Sequence, residues 1–218
     1  SSDIVWNLYT NGLLEISGKG DMPDFSSLNQ TPWYSYIATT GIVTEVRVGE
    51  GVTSIGSYAF YTHYSDYKNV KEINIPDTVK KIGEYAFYGW DGLKSIKLSS
   101  KLARIDIPAF GYTALEEITL PDTLQAISPD AFWQGKLKRI KGYANSYAKI
   151  YAENNFYEFI SLGDDKNPDL IAGGKVSSDI VWNLYTNGLL EISGKGDMPD
   201  FSSLNQTPWY SYIATTGI

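Results

Sequence analysis

The chain of 218 residues contains no cysteine and a single histidine, His63. Without cysteine there can be no disulfide, thiol nucleophile or thiolate metal site. One imidazole leaves little for metal ligation or base catalysis. Apolar runs approaching the ~18 residues that a membrane helix needs are missing, so no transmembrane segment is expected. The opening "SSDIVWNLY" lacks the basic and apolar regions of a signal peptide, which leaves the compartment open. Positive charge is also in deficit: 18 Lys and Arg against 25 Asp and Glu give a net charge of −7 and a pI near 4.7. That balance argues against nucleic acid as a partner, since phosphates require a basic footprint.

Aromatic residues, by contrast, are plentiful: 17 Tyr and 6 Trp. In a chain this short such rings either stack inside a narrow core or serve recognition, where they offer rigid contact area. The internal periodicity favours stacking for most of them. Four units align at 44–70, 71–93, 94–115 and 116–137, and a fifth begins at "KRIKGY". Each has a short alternating strand, a turn often carrying Pro-Asp-Thr, a lone Val or Leu, then Ile, then Ala-Phe. Val46/Val48, Ile73/Ile75, Ile96/Leu98 and Ile118/Leu120 have the period of two of a strand with one face inward. Ile55, Ile82, Ile105 and Ile127 form a second column, and Phe60, Phe87, Phe110 and Phe132 a third. A single unit has too few apolar groups to make a core, whereas stacked units share one. The expected fold is a right-handed, β-rich solenoid of about five 22–23-residue turns over residues 43–141. Pro76 and Pro121 follow their strands, and Pro108 and Pro129 precede Ala-Phe, where a single helical turn is expected.

The frame I-x-I/L-P-D-T-V/L-x-x-I-x-x-x-A-F, seen at 73–87 and 118–132, resembles the BspA-like leucine-rich repeat family of bacterial surface proteins. The opening "WNLYTNGLLEISGKG" at 6–20 looks like that family's N-terminal cap, and "GYANSYAKIYAENNFYEFISL" at 142–162 resembles its closing cap of a short helix and a last strand. The resemblance covers residues 3–162 and 179–218. It implies a non-catalytic, cell-surface or secreted protein that binds a host or extracellular macromolecule. The family often has Cys after Ala-Phe, where this chain carries Trp90, Tyr112 and Trp133; this departure is expected to affect core detail rather than fold.

Solenoid ends need covers for apolar groups and unpaired strand edges. In the cap at residues 1–42, Trp6 and Leu8 alternate on one arm, and Leu14 and Ile16 on the other. Placing all four inward pairs 8 with 14 and 6 with 16, which leaves Thr10-Asn11-Gly12 as the loop. Trp33 is expected to add to the cover. At the other end, Ala144, Ala148, Ile150, Tyr151 and Ala152 suit a closing helix. The polar, Gly-rich stretch 163–176 reads as a linker. Then Ser1–Ile42 recurs letter for letter as Ser177–Ile218. Trp182, Leu184, Leu190, Ile192 and Trp209 thus form a second cap with no repeat directly after it, expected to be loose unless docked. A segment of a longer array, deliberate construction, and head-to-tail assembly all account for the duplication.

Candidate chemistry is sparse. His63 with Ser65 and Asp66 is a poor triad, since three neighbouring loop residues seldom converge and no oxyanion motif accompanies them. Asp165, Asn167 and Asp169 alternate like a calcium loop but lack its central Gly and closing Glu. No cofactor or metal site is expected. Binding surface is better supported. The first unit's insertion at 61–69 carries Tyr61, His63, Tyr64 and Tyr67, and insertions in repeats map to loops that often bind. Outward strand positions offer a second face, with Arg47, Asn74 and Lys97 in one column and Arg139 beside it. Two functions therefore stand: a protein-binding module acting through these residues, or a self-assembling scaffold in which the duplicated cap docks on its own or a neighbouring solenoid.

Overall fold

The computed structural model describes residues 3–27, 30–40, 43–63, 67–163, 170–177, 179–185, 188–194, 197–203 and 206–212. The chain enters through an antiparallel hairpin, β1 (Asp3–Leu8) and β2 (Leu13–Asp21), followed by α1 (Tyr34–Thr40). Trp6 pairs with Ile16 and Leu8 with Leu14, as the alternation predicts. Gly12 closes the loop at φ 88°, its N–H donating to the carbonyl of Tyr9 at 3.0 Å.

Each turn of the solenoid then contributes two strands. The first set is β3 (Glu45–Val48), β5 (Glu72–Asn74), β7 (Ser95–Lys97), β9 (Glu117–Thr119) and β11 (Arg139–Gly142). These alternating strands carry the expected inward Val and Ile, and Ile75, Leu98 and Leu120 are buried just past their ends. The second set is β4 (Val52–Ile55), β6 (Lys81–Ile82), β8 (Arg104–Ile105) and β10 (Ala126–Ile127). It pairs in parallel down the stack, Ile55 to Ile82 to Ile105 to Ile127. The Ile column is therefore a second sheet, which two-residue strands are too short to announce by periodicity.

The Ala-Phe segments form the third side. They are hydrogen-bonded turns, not helix: Ala109 N–H donates to Asp106 and Gly111 N–H to Pro108, each at 3.0 Å. Between turns, Phe87 N–H reaches the carbonyl of Ala109 and Phe110 N–H that of Ala131, both at 2.8 Å. The phenylalanines stack at 5.5, 5.3 and 5.4 Å from Phe60 to Phe132, all with small interplanar angles. Tyr58 and Tyr85, two residues before their Phe, have φ 57° and 55°. Pro108 occupies that place in the third unit, where its ring forbids a positive φ. The left-handed residue there is instead Tyr112, two past the Phe, as Gln134 is in the fourth.

Both ends are covered. Leu14 and Ile16 are fully buried, and Trp33 stacks on Phe60 at 5.8 Å, so the first cap continues the Phe column. Strand β2 also pairs with β3 and β4, extending both sheets. At the far end α2 (Tyr147–Asn154) buries Ala148, Tyr151 and Ala152, and β12 (Glu158–Ser161) closes the ladder on β11. Ile150 faces outward, 46% exposed, and is not part of that cover.

Carboxylates fasten the turns. Asp24 accepts the N–H of Ser57 at 2.6 Å, and Asp77 that of Ser100 at 2.7 Å. These backbone hydrogen bonds hold both carboxyls below the usual aspartate range. Glu117 is likewise lowered, by hydrogen bonds from Lys141 and Arg139. A group depressed in the folded state adds stability above its unfolded pKa and loses it as pH falls through the folded value. The melting midpoint is therefore expected to hold down to about pH 5 and to fall below about pH 4. Replacing Asp24 and Asp77 together by Asn flattens that acid limb in a calorimetric pH series.

The stretch read as a linker is only partly one. Leu170–Lys175 is a strand, β13, pairing antiparallel with β14 (Ile180–Tyr185), which pairs with β15 (Leu190–Gly194). This third strand lets the second cap bury its own centre. Trp182, Leu184 and Trp209 are 4, 1 and 9% exposed, with Ala172 and Val176 packed on them. The expectation that these three side chains stay uncovered without a repeat is overturned. The calcium-like positions 165–169 lie outside the described residues.

Candidate functional site

Two surfaces stand out on the solenoid, and their lining residues do not overlap. The first follows the Ala-Phe turns. Rings run along it at one per turn: Tyr61 to Tyr88 at 5.2 Å, Tyr88 to Tyr112 at 5.2 Å, and Tyr112 to Trp133 at 5.3 Å. Backbone bonds set that spacing, with Thr62 N–H on the carbonyl of Tyr88 and Tyr112 N–H on that of Trp133, both at 3.0 Å. Tyr112 and Trp133 are 43 and 46% exposed. The departure from the family's Cys therefore touches core detail at Trp90 alone, which is buried with its Nε1–H donating to the carbonyl of Phe60 at 2.7 Å. The left-handed backbone at Tyr112 accompanies its outward placement.

Beside the ladder runs an open groove of about 580 Å³, lined by Thr62, His63, Tyr88, Asp91, Tyr112, Gln134 and Lys136 among others. Gly89 lies in it at φ 83°, where a Cβ would run into the carbonyl oxygen of Thr62. The side chains mix one imidazole, one carboxylate, one amide and one ammonium with aromatic faces. Burial raises the Tyr88 phenol above its ordinary pKa, so it is a neutral hydroxyl at physiological pH.

The insertion contributes less than its sequence suggests. Tyr61 belongs to the ladder, stacking on Tyr88, and its hydroxyl meets Nε2 of His63, which lines the groove. Tyr67 does not. It is 3% exposed and stacks on Trp90 at 4.6 Å, which makes it core and removes it from the binding set. Tyr64, Ser65 and Asp66 lie outside the described residues.

The second surface is the outward side of β3 to β11. Asn74 and Lys97 are register partners and line a shallow depression of about 270 Å³ with Val48, Glu50, Pro76 and Asp77. Arg47 faces Glu15 in the same column; Arg139 lies in the neighbouring column against Glu117. Both guanidinium groups are engaged, Arg47 with Glu45 at 2.8 Å and Arg139 with Glu117 at 3.1 Å. Exposed pairs of this kind add little stability and leave the face nearly neutral to an approaching partner. Among the described residues no group of His, Asp and Glu is placed to hold a metal, and no helix is long and apolar enough to cross a membrane.

The repeat frame, the paired ladders and the Phe column together define a repeat class, and the model of the BspA type leucine-rich repeat region matches residues 34–163 in six copies. The chain belongs to this family. A leucine-rich repeat protein from Eubacterium ventriosum has a similar structure, at 25% identity and a TM-score of 0.56, over 84% of this chain and 46% of that one. This BspA-type chain thus spans about half the length of that relative. Lesser similarity reaches the pneumococcal vaccine antigen PcpA (21% identity, TM-score 0.38, 47% of this chain and 25% of that one) and the T. pallidum leucine-rich repeat protein (17%, 0.35, 73% and 80%). No curated protein matches the chain.

Proposed function

We propose that this BspA-type solenoid is a non-catalytic protein-binding module of a bacterial cell-surface or secreted protein, and that it engages a host or other extracellular macromolecule. The observation that carries the reading is the exposed ring ladder ending in Tyr112 and Trp133 beside a polar groove. Aromatic anchors bordered by hydrogen-bonding groups are what protein interfaces concentrate at their centres. Tyr61 and His63 extend the ladder at its first turn, and Asn74 and Lys97 offer a subsidiary contact on the strand face. Family membership supports a role in interaction and a surface location.

Binding to a panel of immobilised extracellular matrix and plasma proteins tests it. Tyr112→Ala with Trp133→Ala is expected to weaken capture by at least about 30-fold, the scale of losing about 2 kcal/mol at a hot spot. The melting midpoint should hardly move, because both rings are nearly half exposed. Lys97→Ala should change capture by no more than a few fold. Unchanged capture by the double variant sinks the groove as the binding centre.

A further inference from the structure

The position directly after each stacked Phe reads Tyr61, Tyr88, Gly111 and Trp133 down the stack. Glycine at the third turn breaks this column of rings. The Tyr88 ring lies over that backbone, where a Cβ on Gly111 would stand 2.7 Å from it. Tyr112 enters the ladder from the next position along the chain, on its left-handed backbone, and stands across its neighbours. Tyr61 and Tyr88 stack at 23°, whereas Tyr112 meets Tyr88 at 66° and Trp133 at 86°. Nearly coplanar rings make a flat platform, the surface on which a sugar ring stacks. Rings set across one another make a corrugated surface, here with a slot on either side of Tyr112, and that shape fits a ridged ligand.

Spacing identifies the ridge. Tyr88 and Trp133 are equivalent positions two turns apart, which the strand separation sets at roughly 9.6 Å. A polyproline II helix turns once in three residues and rises ~9.3 Å in doing so, so prolines at i and i+3 lie on one side at nearly that distance. The groove is lined by four turns, from Thr62 to Lys136, and that length holds about five such residues with little loss of register. The chemistry of the walls agrees. Polyproline II has no internal hydrogen bonds, so its carbonyls need donors from outside. Tyr88, whose phenol keeps its proton, and the amide of Gln134 line the groove to supply them. Lys136 is exposed at the fourth-turn end, where its ammonium matches an acidic residue of the ligand.

We propose that the groove binds a proline-rich segment of an extracellular protein in the polyproline II conformation, its prolines three apart against Tyr88 and Trp133 and an acidic residue beside Lys136. This rests on the reading of the groove as the protein-binding centre and names the conformation and chemistry of what it takes. A preformed extended segment loses little entropy on docking, which suits an open groove that encloses its ligand on one side only.

Polarisation of short fluorescent peptides tests it, because the decisive changes are made in the ligand and leave the protein intact. A peptide with Pro at i and i+3 and a terminal Glu is expected to bind at least about tenfold tighter than its isomer with Pro at i and i+2. Tyr112→Ala removes the wall between the slots and should abolish that preference. Lys136→Glu should reverse the charge preference, so that the peptide with Arg in place of Glu becomes the tighter one. Equal affinity for the two spacings overturns the proposal, as does binding of a linear β-linked oligosaccharide in place of either peptide. Capture of matrix or plasma proteins that is lost in the Tyr112→Ala, Trp133→Ala chain, yet is not displaced by the i, i+3 peptide, overturns the polyproline ligand alone and leaves the groove as the binding centre. Unchanged capture by that double variant, with no peptide bound, overturns both.

Discussion

Ile16→Ala is expected to destabilise the solenoid by about 2–5 kcal/mol, while Ile192→Ala leaves the solenoid's melting midpoint where it was. The two residues lie in identical sequences, so propensity, local pattern and unfolded-state behaviour are matched. Only the covering differs. Ile16 is completely enclosed, packed within the core that runs through the repeats to the closing helix. Removing its outer carbons opens a cavity where the lid joins the first repeat, beside its register partner Val48. Ile192 is 38% exposed, and the small cluster of the second cap is separate from the main core. Shortening it affects only that cluster, within the small range of surface substitutions. Differential scanning calorimetry of the two variants reads this difference, provided the main transition is followed. Equal shifts would mean that the second cap is integral to the same core.

The next largest effect is expected in the middle of the stack. Phe110 is fully enclosed between Phe87 at 5.3 Å and Phe132 at 5.4 Å. Phe110→Ala forfeits both ring contacts and leaves a hole that the flanking turns cannot close. Their spacing is fixed by backbone bonds from Phe87 to Ala109 and from Phe110 to Ala131. The expected cost is about 3–5 kcal/mol, or roughly a 10 °C fall in midpoint for a domain of this size. Because a solenoid is held by nearest-neighbour interfaces, the loss should also split one cooperative transition into two. Phe110→Leu, which keeps most of the volume, should recover more than half of the stability and the single transition. A midpoint unchanged by Phe110→Ala would show that the column does not couple the turns.

Much of this architecture was legible because it is written in repeated columns. Alternation places β3, β5, β7 and β9 and the inward face of each, and pairing four apolar residues inward is enough to place the hairpin loop at Thr10–Gly12. The features that escaped are those periodicity does not encode. Two-residue strands such as Lys81–Ile82 carry no measurable alternation, so the second sheet is visible only from its hydrogen bonds. Strand β13 hides in "LIAGGK", where two glycines read as a turn signal although the backbone pairs with β14. By sequence Tyr67 groups with the loop's surface rings, because distance from the Phe column along the chain says nothing of the fold-back that stacks it on Trp90. The groove is hidden from the sequence for a related reason. Tyr112 and Trp133 occupy positions where the family frame suggests a small core residue, and the sequence carries no signal that Tyr112 takes a left-handed backbone or that both rings turn outward.

The central claim is that one sequence serves as a closed lid at one site and an open face at another. The absence of cysteine allows this to be tested directly, by the rate at which a thiol reagent modifies Ile16→Cys and Ile192→Cys in separate variants of the 218-residue chain at low protein concentration. A thiol at position 192 should react within a few fold of a free thiol. One at position 16 should react at least about 100-fold more slowly, since exposing it requires opening that costs several kcal/mol. Equal rates at the two positions would contradict the account.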